Sequence, residues 1–380
     1  MKKLGLVILM LCLLFIGRAV PASGALPTFN TWYATSTGIT NTIGGDATDV
    51  NALAISPNFT TDHVIYAGAY DGLFRSKDSG FTWTKMGLII EHINSVTLSP
   101  GYATDKTLYV GAANGVFVAN SADTDTYTVS EISGNLPSVT GEARVIACSP
   151  DYGHDHTVFA GTPIGLYKTT NVNGLSTVWT YTGSQMQNNS HITGIVFTPD
   201  YATSHTLFVS ADYSDAGGGV YRSTNGGNSW TEIVNGMLPD DPVHRVVQAL
   251  AISPNYAMDH TLFAGLGASQ GIFKSTNGGN SWSLLPGAVG WDTQALALSP
   301  NYGHDGILFV GGSGVNVSTD GGASWAELNN GFTSSNAVLV LAIPPGQSQQ
   351  PFNLFAGRWA DRVWQMAFRN YKVFLPMAVR

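Results

Sequence analysis

The octet Ser223-Thr224-Asn225-Gly226-Gly227-Asn228-Ser229-Trp230 recurs unchanged at 275–282, and returns with small changes at 318–325 and 76–83. In such a stretch an Asp or Asn side chain accepts a hydrogen bond from backbone two residues on, and a Gly takes positive φ. The product is a self-supporting hairpin turn. The Trp at its end covers the hairpin with a large apolar face, and its buried indole N–H requires a partner. Asp78, Gly80 and Trp83 carry this pattern in the first copy, Asn225, Gly227 and Trp230 in the second, Asn277, Gly279 and Trp282 in the third, and Asp320, Gly322 and Trp325 in the fourth. Four copies of one turn constrain architecture before they constrain chemistry.

A second motif runs in step with the first. Ala54-Ile55-Ser56-Pro57 returns as Thr97-Leu98-Ser99-Pro100, Ala147-Cys148-Ser149-Pro150, Val196-Phe197-Thr198-Pro199, Ala251-Ile252-Ser253-Pro254, Ala297-Leu298-Ser299-Pro300 and Ala342-Ile343-Pro344. Successive prolines stand 43, 50, 49, 55, 46 and 44 residues apart, the period of propeller blades. Each period holds four short apolar runs bounded by Gly, Pro and Asn, which read as strands A to D. The seventh copy has strand A at Val338–Ile343, B at Asn353–Gly357 and C at Val363–Phe368, but no Trp strand follows. Its fourth strand is expected from the other end of the chain, where Thr31-Trp32-Tyr33-Ala34-Thr35 precedes the first strand A. An open array would expose two edges, and this closure removes them. The expected fold is all-β, a seven-bladed propeller over residues 26–369 whose last blade is completed by an N-terminal strand.

Composition agrees. Charged residues make up only 11% of the chain and glycines number 44, a balance that favours turns over amphipathic helices. The net charge of −8 carries no Lys/Arg run beyond Lys2-Lys3, so nucleic acid is not an expected partner. Residues 1–25 read as a secretory signal peptide: Lys2-Lys3, an apolar run from Leu4 to Ile16, then small residues before cleavage after Ala22 or Ala25. No transmembrane segment is expected after cleavage, and the mature chain is expected outside the cell as a monomer. Cys148 is then its only thiol and reads as buried filler. Residues 370–380 form an apolar tail, about half the length a membrane helix needs.

The octets at 76–83 and 318–325 resemble the Asp-box, or BNR repeat, of a propeller family that includes sialidases, sortilin-type receptors, family-74 glycosidases and photosystem II assembly factors. The resemblance implies the scaffold and places the boxes on the C-to-D turns, away from the ligand face. It does not extend to catalytic residues. No arginine falls between the signal and Arg75, where sialidases place their first, and Arg75 and Arg222 occupy a strand position that Lys274 also fills. Family-74 enzymes resemble two tandem propellers, and one is present here. The basic patch of the photosystem factors has no counterpart.

A feature repeated in every blade does not build a single site. His63, His156, His205 and His260, with Asp62, Asp155, Asp259 and Asp305, recur in the A-to-B turns and read as local hydrogen-bonding groups; no metal or cofactor is expected. The non-repeating residues lie on the opposite rim. The B-to-C loops offer Tyr70, Asp71, Asp212, Tyr213, Arg358 and Trp359, and the D-to-A connections offer Glu91, His92, Arg144, His191, Asp240, Asp241, His244, Trp291 and Asp292. Carboxylates beside exposed aromatics suit carbohydrate or peptide recognition. The expected function is therefore non-catalytic binding of an extracellular glycan or protein through this face. A glycoside hydrolase or lyase using two of these carboxylates is the alternative.

Overall fold

The computed structural model describes residues 29–370 except 36, 40–47, 88–89, 91, 138–141, 187–189, 213–217, 238–244, 289 and 348. The signal segment, Glu91, Tyr213, Asp240, Asp241, His244 and the tail beyond Asn370 lie outside the described residues.

Seven antiparallel four-stranded sheets form the molecule, six of them in chain order A-B-C-D. In the seventh, Tyr33–Ala34 pairs with Val363–Phe368 in the register Tyr33↔Gln365 and Ala34↔Trp364. Backbone bonds from Asn30 N–H to Ala367 O and from Thr35 N–H to Val363 O extend the seal, each 3.0 Å. The A strands touch one another in sequence, and the first also touches the last, at Val50–Ile55 and Val338–Ala342. The ring is closed. Strand register in the last blade makes Pro345, not Pro344, the equivalent of Pro57, because Val340 opposes Gly357 as Ala52 opposes Gly68.

The core is divided among the seams. Seven apolar clusters are present among the described residues, and each draws on two neighbouring blades. Close approach there requires small residues on strand B: a Cβ added at Gly161 would lie 2.6 Å from Ile192 Cγ2 of the next blade. In blade four that position is Ser210, and the glycine moves to strand A as Gly194, where an added Cβ would lie 2.7 Å from Ser210 Oγ.

The octets are the turns expected, with a different division of labour. Ser76 Oγ accepts the N–H groups of Asp78 (3.3 Å) and Gly80 (2.8 Å), while Asp78 Oδ1 accepts Thr82 N–H four residues on, at 2.8 Å. The serine, not the acid, holds the near donor, because its short side chain matches that distance. Gly80 has φ 91°, a conformation costly for any residue with a Cβ. The Trp at the start of strand D also serves as a staple to the preceding blade, with or without a box before it: Trp32 Nε1 donates to Leu328 O (2.6 Å), Trp179 to Ile132 O (2.8 Å) and Trp282 to Ile233 O (2.7 Å). The strand-C cations clamp the following blade. Lys168 Nζ donates to Gly226 O (3.2 Å), Arg222 Nη1 to Gly278 O (3.0 Å) and Lys274 Nζ to Gly321 O (3.0 Å).

In the A-to-B turns, His63, His156, His205 and His260 sit in the left-handed region (φ 48–56°) and close one-turn helices. The aspartates of these turns bond locally: Asp259 Oδ2 accepts Ser253 Oγ (2.6 Å) and Oδ1 accepts Thr261 N–H (2.9 Å).

The box at 318–325 carries an acid-sensitive charge. The Ser324 hydroxyl, donating to Asp320, holds that carboxyl down at about 2. Because the folded pKa lies below the unfolded one, the stabilisation is complete above the ordinary aspartate range and disappears as pH falls toward about 2. Asn225 and Asn277 fill the same position and donate to Ser229 and Ser281 (both 2.8 Å). Asp320→Asn is therefore expected to lose less melting temperature than the wild type on acidification from about pH 4 to about pH 2. Parallel thermal melts across that window check it; equal losses would contradict it.

Candidate functional site

Chain direction places the D-to-A connections and B-to-C loops on one face and the boxes and helical turns on the other. Hydrogen bonds bear this out: Tyr70 N–H donates to Asp49 O (2.9 Å), His92 N–H to Tyr70 O (2.7 Å) and Ala113 N–H to His92 O (3.1 Å), linking successive loops of blades one and two.

At the centre of the molecule a cavity of about 360 Å³ is lined by Asn51, Asn94, Arg144, Thr193, Gln248, Gln294 and Leu339, one residue from each blade, together with Glu142. Its position is the propeller axis. Five of the seven lie at register shifts in strand A, between Val50 and Ala52, Ile93 and Ser95, Ile192 and Gly194, Val247 and Ala249, and Val338 and Val340. A bulge re-aims a side chain, and here it turns these residues to the axis. Sequence reasoning named only Arg144 of this ring although a signal was present: each member stands six residues before the proline that ends strand A, counting Pro345 in the last blade.

The ring side chains reach round the axis. Asn51 Nδ2 donates to Ile93 O (3.1 Å), Asn94 Nδ2 to Ala143 O (3.4 Å) and Thr193 Oγ1 to Val247 O (2.6 Å). Gln248 Oε1 is buried without a hydrogen-bond partner among the described residues. The lining is mainly carboxamide and hydroxyl, able to donate and accept without net charge.

Three candidates converge here, Arg144 of the ring with His191 and Asp212 beside it. Asp212 Oδ1 lies 3.3 Å from His191 Nδ1 and 3.8 Å from Arg144 Nη1, and Arg144 Nε lies 3.3 Å from Glu142 Oε1. Burial raises the Asp212 carboxyl above its ordinary value, opposed by Arg144 and His191. A second group joins blades seven and one. Tyr70, 47% exposed, lies against the His92 ring at 3.7 Å between centroids, and Trp359 is 56% exposed. Asp49, another residue that sequence reasoning passed over, holds both loops: its Oδ1 accepts Ala360 N–H (2.6 Å) while its carbonyl accepts Tyr70 N–H.

The remaining candidates are placed elsewhere. Asp71 and Arg358 are buried. The Arg358 guanidinium donates to Ser334 O (2.8 Å), Asn336 O (2.7 Å) and Asp361 Oδ2 (2.9 Å) and lies over Phe332. Asp292 is exposed, and the Trp291 ring packs edge-on against Trp325 at the seam of blades five and six, 5.1 Å between centroids. Among the described residues no cluster of His, Cys, Asp and Glu could hold a metal ion, and no helix is long and apolar enough to cross a membrane.

The fold is similar to that of several solved propellers. The extracellular domain of BT4673 from B. thetaiotaomicron superposes with a TM-score of 0.65 at 16% identity, over 90% of this chain and 40% of that one. The GH74 enzyme of Niastella koreensis gives 0.64 at 16% identity, over 88% and 53%. YCF48 bound to D1 peptide gives 0.61 at 14% identity, over 92% and 100%. The chain thus spans about half or less of the first two and the whole of the third. No curated protein sequence matches. Residues 30–260, more than half of the chain and inside the propeller just described, match the model of the DUF6242 beta propeller domain, and the chain belongs to that family.

Proposed function

We propose that the protein is a secreted, non-catalytic propeller that binds an extracellular polysaccharide across its loop face. The observation that carries this reading is the exposure of Tyr70 and Trp359 on loops of adjacent blades joined by Asp49, on the face where the carboxamide-lined axis opens. Aromatic faces accept the C–H side of a pyranose, and carboxamides satisfy hydroxyls that act as both donor and acceptor.

Three carboxylates near this face, among the described residues, favour binding over cleavage. Asp212 faces Arg144 and His191, Glu142 faces Arg144, and Asp361 accepts from Arg358 and Trp364. A general acid and base need freedom to exchange protons with substrate and water, and these three are committed to partners. A hydrolase reading draws on one observation, the raised carboxyl of Asp212, which would suit a general acid.

A polysaccharide array probed with the mature protein, followed by a reducing-sugar assay on each hit, separates the readings. Retention of at least one glycan without sugar release is expected. Release that Asp212→Asn abolishes would establish the hydrolase instead. Retention of peptides and of no glycan would assign the face to a protein partner.

A further inference from the structure

The seam between blades five and six differs from the others in one respect. After strand D the chain makes a short turn that ends in an apolar residue packed over the next blade's box aromatic. That covering residue stands four positions after the residue that follows strand D in six seams, as in Thr35 to Ile39, Ile132 to Leu136, Thr182 to Met186, Ile233 to Met237 and Leu328 to Phe332. The covers share apolar clusters with Trp83, Trp179, Trp230, Trp282 and Trp32 in turn. In the fifth blade the turn is Leu285-Pro286-Gly287-Ala288, one residue shorter, closed by Ala288 N–H donating to Leu285 O at 3.3 Å.

Two consequences follow for Trp325. Its indole N–H donates to Pro286 O (3.0 Å), one residue later than in the seams where Ile132, Ile233 and Leu328 accept. Its cover is a methyl group, where Phe332 lies stacked on Trp32 at 4.8 Å. Trp32, Trp83, Trp179, Trp230 and Trp282 are all buried; Trp325 is only half-buried. Trp291, also half-buried, stands edge-on to it at 71°.

The two indoles form the wall of a groove whose other lining includes Pro286, Gly287, Asn316 and Glu327. Asn316 and Glu327 are directly opposed across strands C and D. Among the described residues no cation pairs with Glu327, and its side chain is exposed. An aromatic corner beside one carboxamide and one carboxylate matches a ring that is apolar on its faces and hydroxylated at its edge. The negative charge of Glu327 disfavours acidic or sulfated sugars.

We propose that this corner is a binding site for a neutral pyranose unit of a polysaccharide, on the flank of the propeller and separate from the loop face. It shares no residue with the loop-face site and does not depend on it.

Fluorine NMR of fluorotryptophan-labelled protein tests the two sites side by side, with Trp291 and Trp359 assigned through Trp291→Phe and Trp359→Phe. The probes are neutral hexasaccharides of β-linked glucose, xylose and mannose, with tetramethylammonium as a control. At least one hexasaccharide is expected to shift the Trp291 and Trp325 resonances saturably. Trp291→Ala should weaken that binding about tenfold, the worth of one aromatic stacking contact, and the exposed change Glu327→Gln should weaken it with the fold untouched. Shifts confined to Trp359 would overturn the flank site and leave the loop-face reading standing. A Trp291 shift with tetramethylammonium alone would overturn the sugar assignment, and silence of Trp291 toward every probe would overturn the site.

Discussion

Trp32→Ala is expected to destabilise the propeller by roughly 3–5 kcal/mol, the range for truncating a buried aromatic. The side chain is 2% exposed, stacks on Phe332 and donates to Leu328 O. It also precedes the two-residue strand that completes the seventh sheet. Backbone pairing with Val363–Phe368 and the bonds from Asn30 also hold that strand, but Trp32 supplies its large buried side chain, so the loss falls on closure. Once it lifts, the Val363–Phe368 strand becomes an unpaired edge, and an unpaired edge templates aggregation. A urea titration read against wild type gives the magnitude; a loss under about 1 kcal/mol would place the seal elsewhere.

Arg358→Ala is expected to cost a similar amount, roughly 3–5 kcal/mol, because it removes the buried, hydrogen-bonded cation from a mostly buried carboxylate and leaves it only the more distant, partly exposed Arg362, 3.6 Å away. Arg358 is fully buried, and Asp361 also accepts from Ser334 Oγ (3.1 Å) and Trp364 Nε1 (3.2 Å). The guanidinium fork bridges Ser334 O, Asn336 O and that carboxylate at once. A lysine, with a single point of charge, cannot span all three, so Arg358→Lys should rescue only part of the loss. A variant that melts like wild type but loses ligand would mark Arg358 as a contact residue instead of a structural one.

These two residues show what the chain discloses in advance and what it withholds. Trp32 was legible because closure is a counting problem: seven strand-A motifs require seven strand-D aromatics, and the seventh stands before the first blade. The boxes were legible because a turn is local. Arg358 was not, since an arginine beside Trp359 and Asp361 reads as an exposed loop, and only the crossing of connections from blade six covers it. The axial ring escaped for a different reason. Its members occupy one repeated position with different side chains, Asn, Asn, Arg, Thr, Gln, Gln and Leu, and a repeated position was expected not to form a site. Rotational symmetry overturns that expectation at a single radius, because residues on the axis meet whichever blade they come from. Trp291 was assigned to the loop face by its place in a D-to-A connection. Its ring instead packs against Trp325 at the seam of blades five and six, beside the shortened turn at Pro286.

The same reasoning explains why Arg75, Lys168, Arg222 and Lys274 are unavailable as a substrate grip. Each reaches across a seam; Arg75 Nη1 donates to Ala122 O (2.8 Å) and its Nη2 to Asp125 Oδ1 (2.5 Å). Position in the repeat assigns them to holding one blade on the next.

The measurement closest to the central claim is calorimetric titration of an array-positive polysaccharide into wild type and into the Tyr70→Ala, Trp359→Ala double variant. Both rings are exposed, so the fold should survive. Binding through the loop face predicts at least about a tenfold loss of affinity from two lost stacking contacts. Unchanged affinity in a folded double variant would contradict it.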